Sequence, residues 1–332
     1  MVNNSPFVVK ASSVRSVMLR VLLALMPGVA AYVWFFGAAI LVQLALASVT
    51  ALAVEAFMLS LRKKPVMLFV TDGSALVTAW LIALSFPPIG PWWLVVIATL
   101  FAIALVKHLY GGLGQNPFNP AMGAFALMIV AFPQLMSQWS APGITDLAVQ
   151  LKLIFGLREL DAVTMATPLD ALRTALHTGA TSAAAAGQLP GAGLIAGKGW
   201  EWVSAGYLLG GLWLMQQRII SWHIPLAFLA ALGAMAGIFQ LVDASRFAGP
   251  LFHLFGGGAM LGAFFITTDP VSAATTPRGK LIYAALIGAL TWVIRTFGAF
   301  PDGVAFSVLL LNICVPLIDM YTQPPVFGHK KK

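Results

Sequence analysis

The chain has a single cysteine in 332 residues, only 9% charged side chains, eleven acidic residues and five histidines scattered without metal-ligand spacing. One cysteine, Cys314, excludes an intrachain disulfide and cannot by itself hold an iron–sulfur cluster or a structural zinc ion. As a small apolar filler it needs no chemistry. No Ser/His/Asp constellation, Walker-type phosphate loop or dinucleotide fingerprint can be read. Any redox chemistry therefore falls to an organic cofactor or a partner subunit. Charge is far scarcer than the quarter or so usual in globular domains, which excludes an ordinary soluble enzyme.

In place of charge the chain has 60% hydrophobic residues and a mean hydropathy of +0.90. Its apolar residues fall in runs, and about 20 of them in helical form span a hydrocarbon core about 30 Å thick. Ten candidate segments lie near 21–36, 39–60, 75–86, 92–105, 121–132, 202–215, 224–242, 257–266, 281–294 and 304–318. The expected fold is an all-α integral membrane protein of about ten transmembrane helices. Those ending at Phe132 and Ile266 lie beside Gly, Pro and Asn clusters and read as broken or half helices. The division is an N-terminal membrane half (1–132), an external loop (133–199) and a C-terminal membrane half (200–332).

Lys and Arg counts set the orientation. With the N-terminus inside, the cytoplasmic segments hold Lys10, Arg15, Arg62, Lys63, Lys64, Lys107, Arg218, Arg278, Lys280 and Lys330 to Lys332. The opposite side holds Lys152, Arg158, Arg173, Lys198, Arg246 and Arg295, mostly in the one long loop, where the positive-inside rule has little force. The termini are expected in the cytoplasm of a bacterial cell, the chain in its inner membrane and the loop outside. The net charge of +8 needs no nucleic acid to explain it. The first apolar stretch is long, contains Pro27-Gly28 and lacks a cleavage site, so it does not read as a cleavable signal.

The loop is much longer than an ordinary connection, and such loops tend to be functional or disordered. Residues 144–177 have apolar periodicity and mixed charge, expected as short amphipathic helices on the membrane face. Residues 181–199 are rich in Ala and Gly and read as a flexible return. Within the first part, Thr167-Pro168-Leu169-Asp170 is a helix start: Thr as N-cap, Pro at the first position, an acid at the third. That capping motif accounts for these four residues without a cofactor. Asp161 and Thr164 are not needed by it.

They complete Asp161-Ala162-Val163-Thr164-Met165-Ala166-Thr167, which resembles the Asp-x-x-Ser/Thr-x-Ala-Thr signature at which a flavin transferase esterifies a threonine with the phosphate of flavin mononucleotide (FMN). The resemblance makes Thr167 the carrier of covalent FMN, with Asp161, Thr164 and Ala166 as the recognition motif. A helix N-terminus offers free N–H groups and a positive dipole end to such a phosphate diester, so cap and attachment are compatible.

Further stretches extend the likeness. Gly111 to Ala121 (GGLGQNPFNPA), Phe69-Val70-Thr71-Asp72-Gly73, Thr267-Thr268-Asp269-Pro270 and the closing 312–316 stretch resemble the D subunit of Rnf ion-pumping electron-transport complexes. The related B subunit of the sodium-pumping NADH:quinone reductase shares the plan, and it is the nearest alternative. That relative usually has a longer N-terminal extension, and Ser-Gly-Ala-Thr where this chain has Thr-Met-Ala-Thr. The resemblance implies a subunit of a ferredoxin:NAD oxidoreductase that moves Na+ or H+, incomplete as an enzyme alone. Its implied partners are other membrane and peripheral subunits, the lipid membrane and a flavin transferase for maturation. It leaves room for a second, noncovalent flavin such as riboflavin on the inner side. A channel or permease without redox chemistry is the rival from another class.

Two further readings concern transport. Phe69 to Asp72 with Ser74-Ala75 recurs as Phe265 to Asp269 with Ser272-Ala273. Each copy is expected to be followed after one span by a basic residue and glycines, Lys107–Gly111 and Arg295–Gly298. The expectation is an inverted repeat of two five-helix halves with ion sites at broken helices. Ionisable residues inside a membrane cost at least about 2.5–3.5 kcal/mol each and are functional candidates. Asp72 and Asp269, beside Gly, Pro and Thr, suit a cation or flavin contact; Lys107, Asn116 and Asn119 join them as candidates for an ion pathway or second cofactor. Glu55, Asp319 and Lys107 also read as snorkelling to the interface, and Asn116 and Asn119 as Asn-Pro turns. Gly210-Gly211 and Gly256-Gly257-Gly258 are expected as close contacts with neighbouring subunits.

Overall fold

The computed structural model describes residues 13–156, 164–177, 193–300 and 302–324. Helix stands at each of the ten apolar segments. Among the described residues, five helices are long and apolar enough to cross a membrane: α1 (Val14–Phe36), α2 (Ala39–Leu61), α11 (His223–Val242), α14 (Pro277–Phe297) and α15 (Val304–Thr322). They are apolar all round, and Leu23, Trp34, Val49, Leu241 and Ile313 face outward. A helix of that kind belongs in a membrane or a large core.

Between them run shorter pieces. In the first half, α3 (Val66–Val70) breaks at Thr71-Asp72-Gly73 and resumes as α4 (Ser74–Ser85); α5 (Trp92–Phe101) widens into a π-helix over Ala102–His108; α6 (Pro120–Ala131) starts at an Asn119 cap. Gly73 turns that break with φ +83°, a conformation only glycine adopts at ease. In the second half, α10 (Trp200–Gln216) precedes α11; α12 (Pro250–Phe255) breaks at Gly256–Gly258 and resumes as α13 (Ala259–Leu261), which widens into a π-helix over Gly262–Ile266. The leading helices of the halves, α1 and α10, pack on each other, as do the closing helices α6 and α15; α2 packs on α4 and α5, and α11 on α12 and α14.

Two expectations change. Two helices, α4 and α5, separate Asp72 from Lys107, whereas α14 alone separates Asp269 from Arg295. The copies of the short sequence repeat therefore do not hold equivalent places; one leads into a half helix and the other leaves one. The glycines assigned to partner subunits are used inside the chain: a Cβ on Gly210 would strike the Ala24 carbonyl of α1, and one on Gly211 the Phe264 ring. Small residues let those backbones approach closely.

The described parts of the 133–199 connection dock on the bundle. They carry α7 (Pro133–Met136), a two-stranded antiparallel ribbon of β1 (Trp139–Ser140) and β2 (Thr164–Met165), α8 (Leu147–Phe155) and α9 (Pro168–His177). Gln150 of α8 is fully buried; it donates to Phe36 O at 2.7 Å and accepts from Ala39 N at 2.8 Å, holding the turn between α1 and α2. Leu153 and Ile154 pack on Ala39 and Ile89, and Leu169 and Leu172 of α9 on Phe252. The amphipathic faces thus lie against protein. Most of the Ala/Gly-rich return lies outside the described residues. Where it reappears, Glu201 accepts from the N–H groups of Leu194, Ile195 and Ala196 and ties it to α10.

Candidate functional site

Thr167 stands where the ribbon hands over to α9. Its Oγ1 accepts from Asp170 N at 3.2 Å, and Pro168 opens the helix, so the capping motif forms as the sequence predicts. Thr164 pairs with Ser140 in the ribbon and Ala166 is exposed. Asp161 lies outside the described residues.

Thr167 also lines a cavity with ≈ 930 Å³ of empty volume, open mouth included, walled by Tyr32, Phe125, Trp139, Trp200, Tyr207 and Asp302 among others. Its rings interlock: Trp200 packs edge-on to Tyr32 at 5.9 Å and to Trp139 at 5.1 Å. Tyr32 OH, Tyr207 OH and Trp200 Nε1 are buried without a hydrogen-bond partner. Buried polar groups normally find partners, and three orphans around one aromatic-walled cavity fit a planar heteroaromatic ring with polar edges. The residues present fit a flavin.

A second cavity lies at the other ends of α1, α4 and α10, with ≈ 940 Å³ of empty volume. Lys107, Asn116, Asn119 and Asp269 all line it, together with Ser74 and Thr268; Asp72 does not. The two cavities lie back to back: Phe265 and Ala121 face this one, and the next residues, Ile266 and Met122, face the first. Asp72 instead accepts from Ser74 N at 2.7 Å and caps α4. Asp269 accepts from Ser272 Oγ at 2.7 Å and from Val271 N at 3.3 Å. Asn119 caps α6, and its side-chain amide donates to Ile266 O at 3.2 Å. It is therefore a seam between the halves, which the Asn-Pro turn reading did not foresee. Asn116 donates to Phe118 O within its own turn.

Glu55 and Lys107 do not snorkel. Each is 2% exposed, and Lys107 Nζ donates to both Glu55 carboxylate oxygens and to Ser74 Oγ, all at 2.9 Å. Behind them, His108 Nε2 lies 3.0 Å from Glu55 Oε2, and Arg62 Nη1 meets His108 Nδ1 at 3.2 Å. A guanidinium only donates, so Nδ1 is the acceptor in that contact. Pairing wins because a lone charge so deep would be far dearer than the entropy of fixing two side chains. Asp319 is committed as well, accepting from the Thr275 N–H and hydroxyl. Arg295, counted among the outer-side charges, is buried; it donates to Asp302, His253 O and Gly256 O. No motif flags these pairings, since most of the partners lie on separate elements some 40 to 50 positions apart, such as the 52 between Glu55 and Lys107 and the 44 between Thr275 and Asp319.

Comparison with known proteins adds an independent line. The model of the NQR2, RnfD, RnfE family matches residues 1–328. The chain is 49% identical over 347 residues to the D subunit of the ion-translocating oxidoreductase complex of Yersinia pseudotuberculosis, covering 98% of each chain. It is 49% identical over 350 residues to the corresponding protein of Vibrio vulnificus, again with 98% of each covered. The Escherichia fergusonii counterpart is 47% identical over 346 residues, with 99% of this chain and 98% of that one aligned.

Proposed function

The chain belongs to the NQR2, RnfD, RnfE family, and from that premise we propose that it is the membrane-embedded D subunit of an ion-translocating, Rnf-type oxidoreductase complex. In this reading it joins other membrane and peripheral subunits in the bacterial inner membrane, where the complex passes electrons between ferredoxin and NAD and moves Na+ or H+. The helices at the ten apolar segments cross the bilayer as two inverted five-helix halves. Both termini lie in the cytoplasm and the 133–199 loop outside.

The observation that carries the redox role is Thr167, on an accessible loop, at the wall of a cavity ringed by aromatic side chains with three orphaned polar atoms. A flavin transferase would join Thr167 Oγ1 to the phosphate of FMN from an activated flavin phosphate donor, with loss of the hydroxyl proton and departure of the donor's leaving group from that phosphate. The Oγ1 lone pair that accepts from Asp170 N survives esterification, so the cap and the N-terminus of α9 continue to hold the phosphate end. Bound there, the flavin supplies one- and two-electron redox chemistry. Tyr32 and Tyr207 hydroxyls and the Trp200 indole N–H orient it, and the aromatic wall excludes water.

The second cavity deepens this reading. A carrier at one face cannot move electrons across a hydrocarbon layer about 30 Å thick. A back-to-back cavity lined by Ser74, Lys107, Asn116, Thr268 and Asp269 suits a second, noncovalent flavin such as riboflavin, with Asp269 and Lys107 beside the ion route and Asp72 holding the adjoining break.

The test is chemical. In protein made alongside an active flavin transferase, the denatured wild-type chain fluoresces on a gel, and mass spectrometry places FMN on the Thr167 peptide. Thr167→Ala abolishes that signal and Thr164→Ala weakens it. An unmodified wild-type Thr167, or flavin retained by Thr167→Ala, overturns the assignment.

A further inference from the structure

Beside the aromatic cavity and separated from it by α9 is a wider cleft, with ≈ 1290 Å³ of empty volume, open mouth included. Its walls are α9, the turn after α11, the start of α12 and the last turn of α14, and it is lined by Arg173, Arg246, Arg295, His253, Asp243 and Phe297 among others. The flavin motif assigns it nothing.

Its charge is only partly used. Arg295 is matched by Asp302 and backbone carbonyls. Arg173 spends Nη1 on Ala299 O at 2.6 Å, while its Nε is buried with no partner. Arg246 is exposed, with its guanidinium 5.8 Å from the Phe247 ring centroid. Neither Arg173 nor Arg246 forms an ion pair with a described residue. The acid in the wall, Asp243, is turned to its own loop, accepting from Ser245 N and Oγ at 2.9 and 2.6 Å. His253 is 6% exposed, and its buried Nδ1 lacks a partner although the ring faces the cleft. A buried polar atom left unpaired is destabilising. Arg173, in no ion pair with a described residue, an exposed Arg246 whose one acidic neighbour, Asp243, is bonded to its own loop, and an orphaned imidazole nitrogen together call for an anion with several oxygens.

The position says which anion. The cleft opens at the ends of α11 and α14, two of the apolar spans. Leu241, Val242 and Phe297 at those ends are exposed. Cationic side chains at the ends of spans, above an apolar collar, lie at the depth of lipid headgroups. A soluble phosphate ester would satisfy the guanidinium groups but leave the collar unused. We propose that this cleft holds the phosphate of an anionic phospholipid, gripped by Arg173 and Arg246 with its acyl chains along Leu241, Val242 and Phe297. Because Arg173 belongs to α9, the lipid ties the helix that begins at Thr167 to α14. The inference rests on the membrane-spanning reading and is independent of the flavin.

The full chain is placed in nanodiscs of phosphatidylcholine alone or mixed with phosphatidylglycerol, released in mild detergent, and its retained lipid is counted by native mass spectrometry. Wild type is expected to retain phosphatidylglycerol selectively. Each arginine near a membrane surface contributes about 1 kcal/mol, roughly fivefold, so Arg173→Gln with Arg246→Gln lowers retention by about 25-fold. Arg173→Lys with Arg246→Lys, which keeps the charge, retains most of it. Equal retention of both lipids by wild type, or unchanged retention in the glutamine pair, overturns the proposal. So does a lysine pair as defective as the glutamine pair, since the arginines would then be bracing the fold. Glycerol phosphate displacing the lipid at equal concentration would make this a site for a soluble anion and also overturn it. In-gel flavin fluorescence, unchanged across these variants, separates failure here from failure of the flavin assignment.

Discussion

Lys107 and Arg295 each lie near the end of a helix that follows a broken one, and each reaches the break. They are neutralised differently. Lys107 meets three side-chain oxygens, two from Glu55 and one from Ser74 at the start of α4, and both partners are buried. Arg295 divides its fork between Asp302 and the carbonyls of His253 and Gly256, while Asp302 also accepts from Gly258 N and Val304 N. The Asp302 side chain keeps 23% of its surface exposed. An ammonium is a point charge suited to a closed pair; a planar guanidinium can brace several backbone oxygens at once. The first half therefore carries a sealed charge pair beside a cavity, and the second a backbone brace that water still reaches.

The hardest blow to that contrast is Glu55→Leu. It leaves Lys107 buried with one hydroxyl, and removal of one partner from a buried pair destabilises by about 3–5 kcal/mol. Thermal melting of the detergent-purified chain should show that loss, and Glu55→Leu with Lys107→Met should recover most of it. If the double variant melts no higher than the single one, the pair is not what holds this half together.

Asp302→Asn comes next. The amide keeps an acceptor for Arg295, whose two carbonyl partners remain, and solvent reaches the site. The loss should resemble that of a hydrogen bond to a charged group, about 1.5–3 kcal/mol. Asp302 also walls the aromatic cavity, so the absorbance of the flavin carried on Thr167 is expected to shift in this variant and to stay put in the Glu55 pair. A melting loss as large as that of Glu55→Leu would erase the difference between the halves.

The asymmetry explains what could be read in advance. Helix at the apolar segments follows from hydropathy, and the Thr167 cap from four adjacent residues, because both are local signals. Glu55 and Lys107 are 52 positions apart, and Gln150 grips Phe36 from 114 positions away. Hydropathy treats each such residue alone and sends it to the interface; only packing brings its partner. The short sequence repeat misled for a similar reason. It matches common residues around Asp72 and Asp269, which the fold places at the entry to one half helix and the exit of another. Candidate residues were found one by one, but the joining of Lys107, Asn116, Asn119 and Asp269 in one cavity required the fold.

The smallest effect is expected from Ser74→Ala, which tests the contrast at its finest point. Ser74 Oγ is the link from Lys107 to the start of α4, as Gly256 O is the link from Arg295 to the α12 break. If the carboxylate carries the charge in the first half, both Glu55 contacts survive and only one hydrogen bond to the ammonium is lost, at the low end of the about 1.5–3 kcal/mol of a bond to a charged group, whereas Asp302 serves several donors. The cap of α4 also remains, since Asp72 rather than the Ser74 hydroxyl supplies it. Ser74→Ala should therefore melt above Asp302→Asn, and Ser74→Thr, which restores a hydroxyl, should melt near wild type. A Ser74→Ala loss matching Glu55→Leu would mean that Lys107 braces its break as Arg295 does, and that the two halves differ only in the chemistry of the cation.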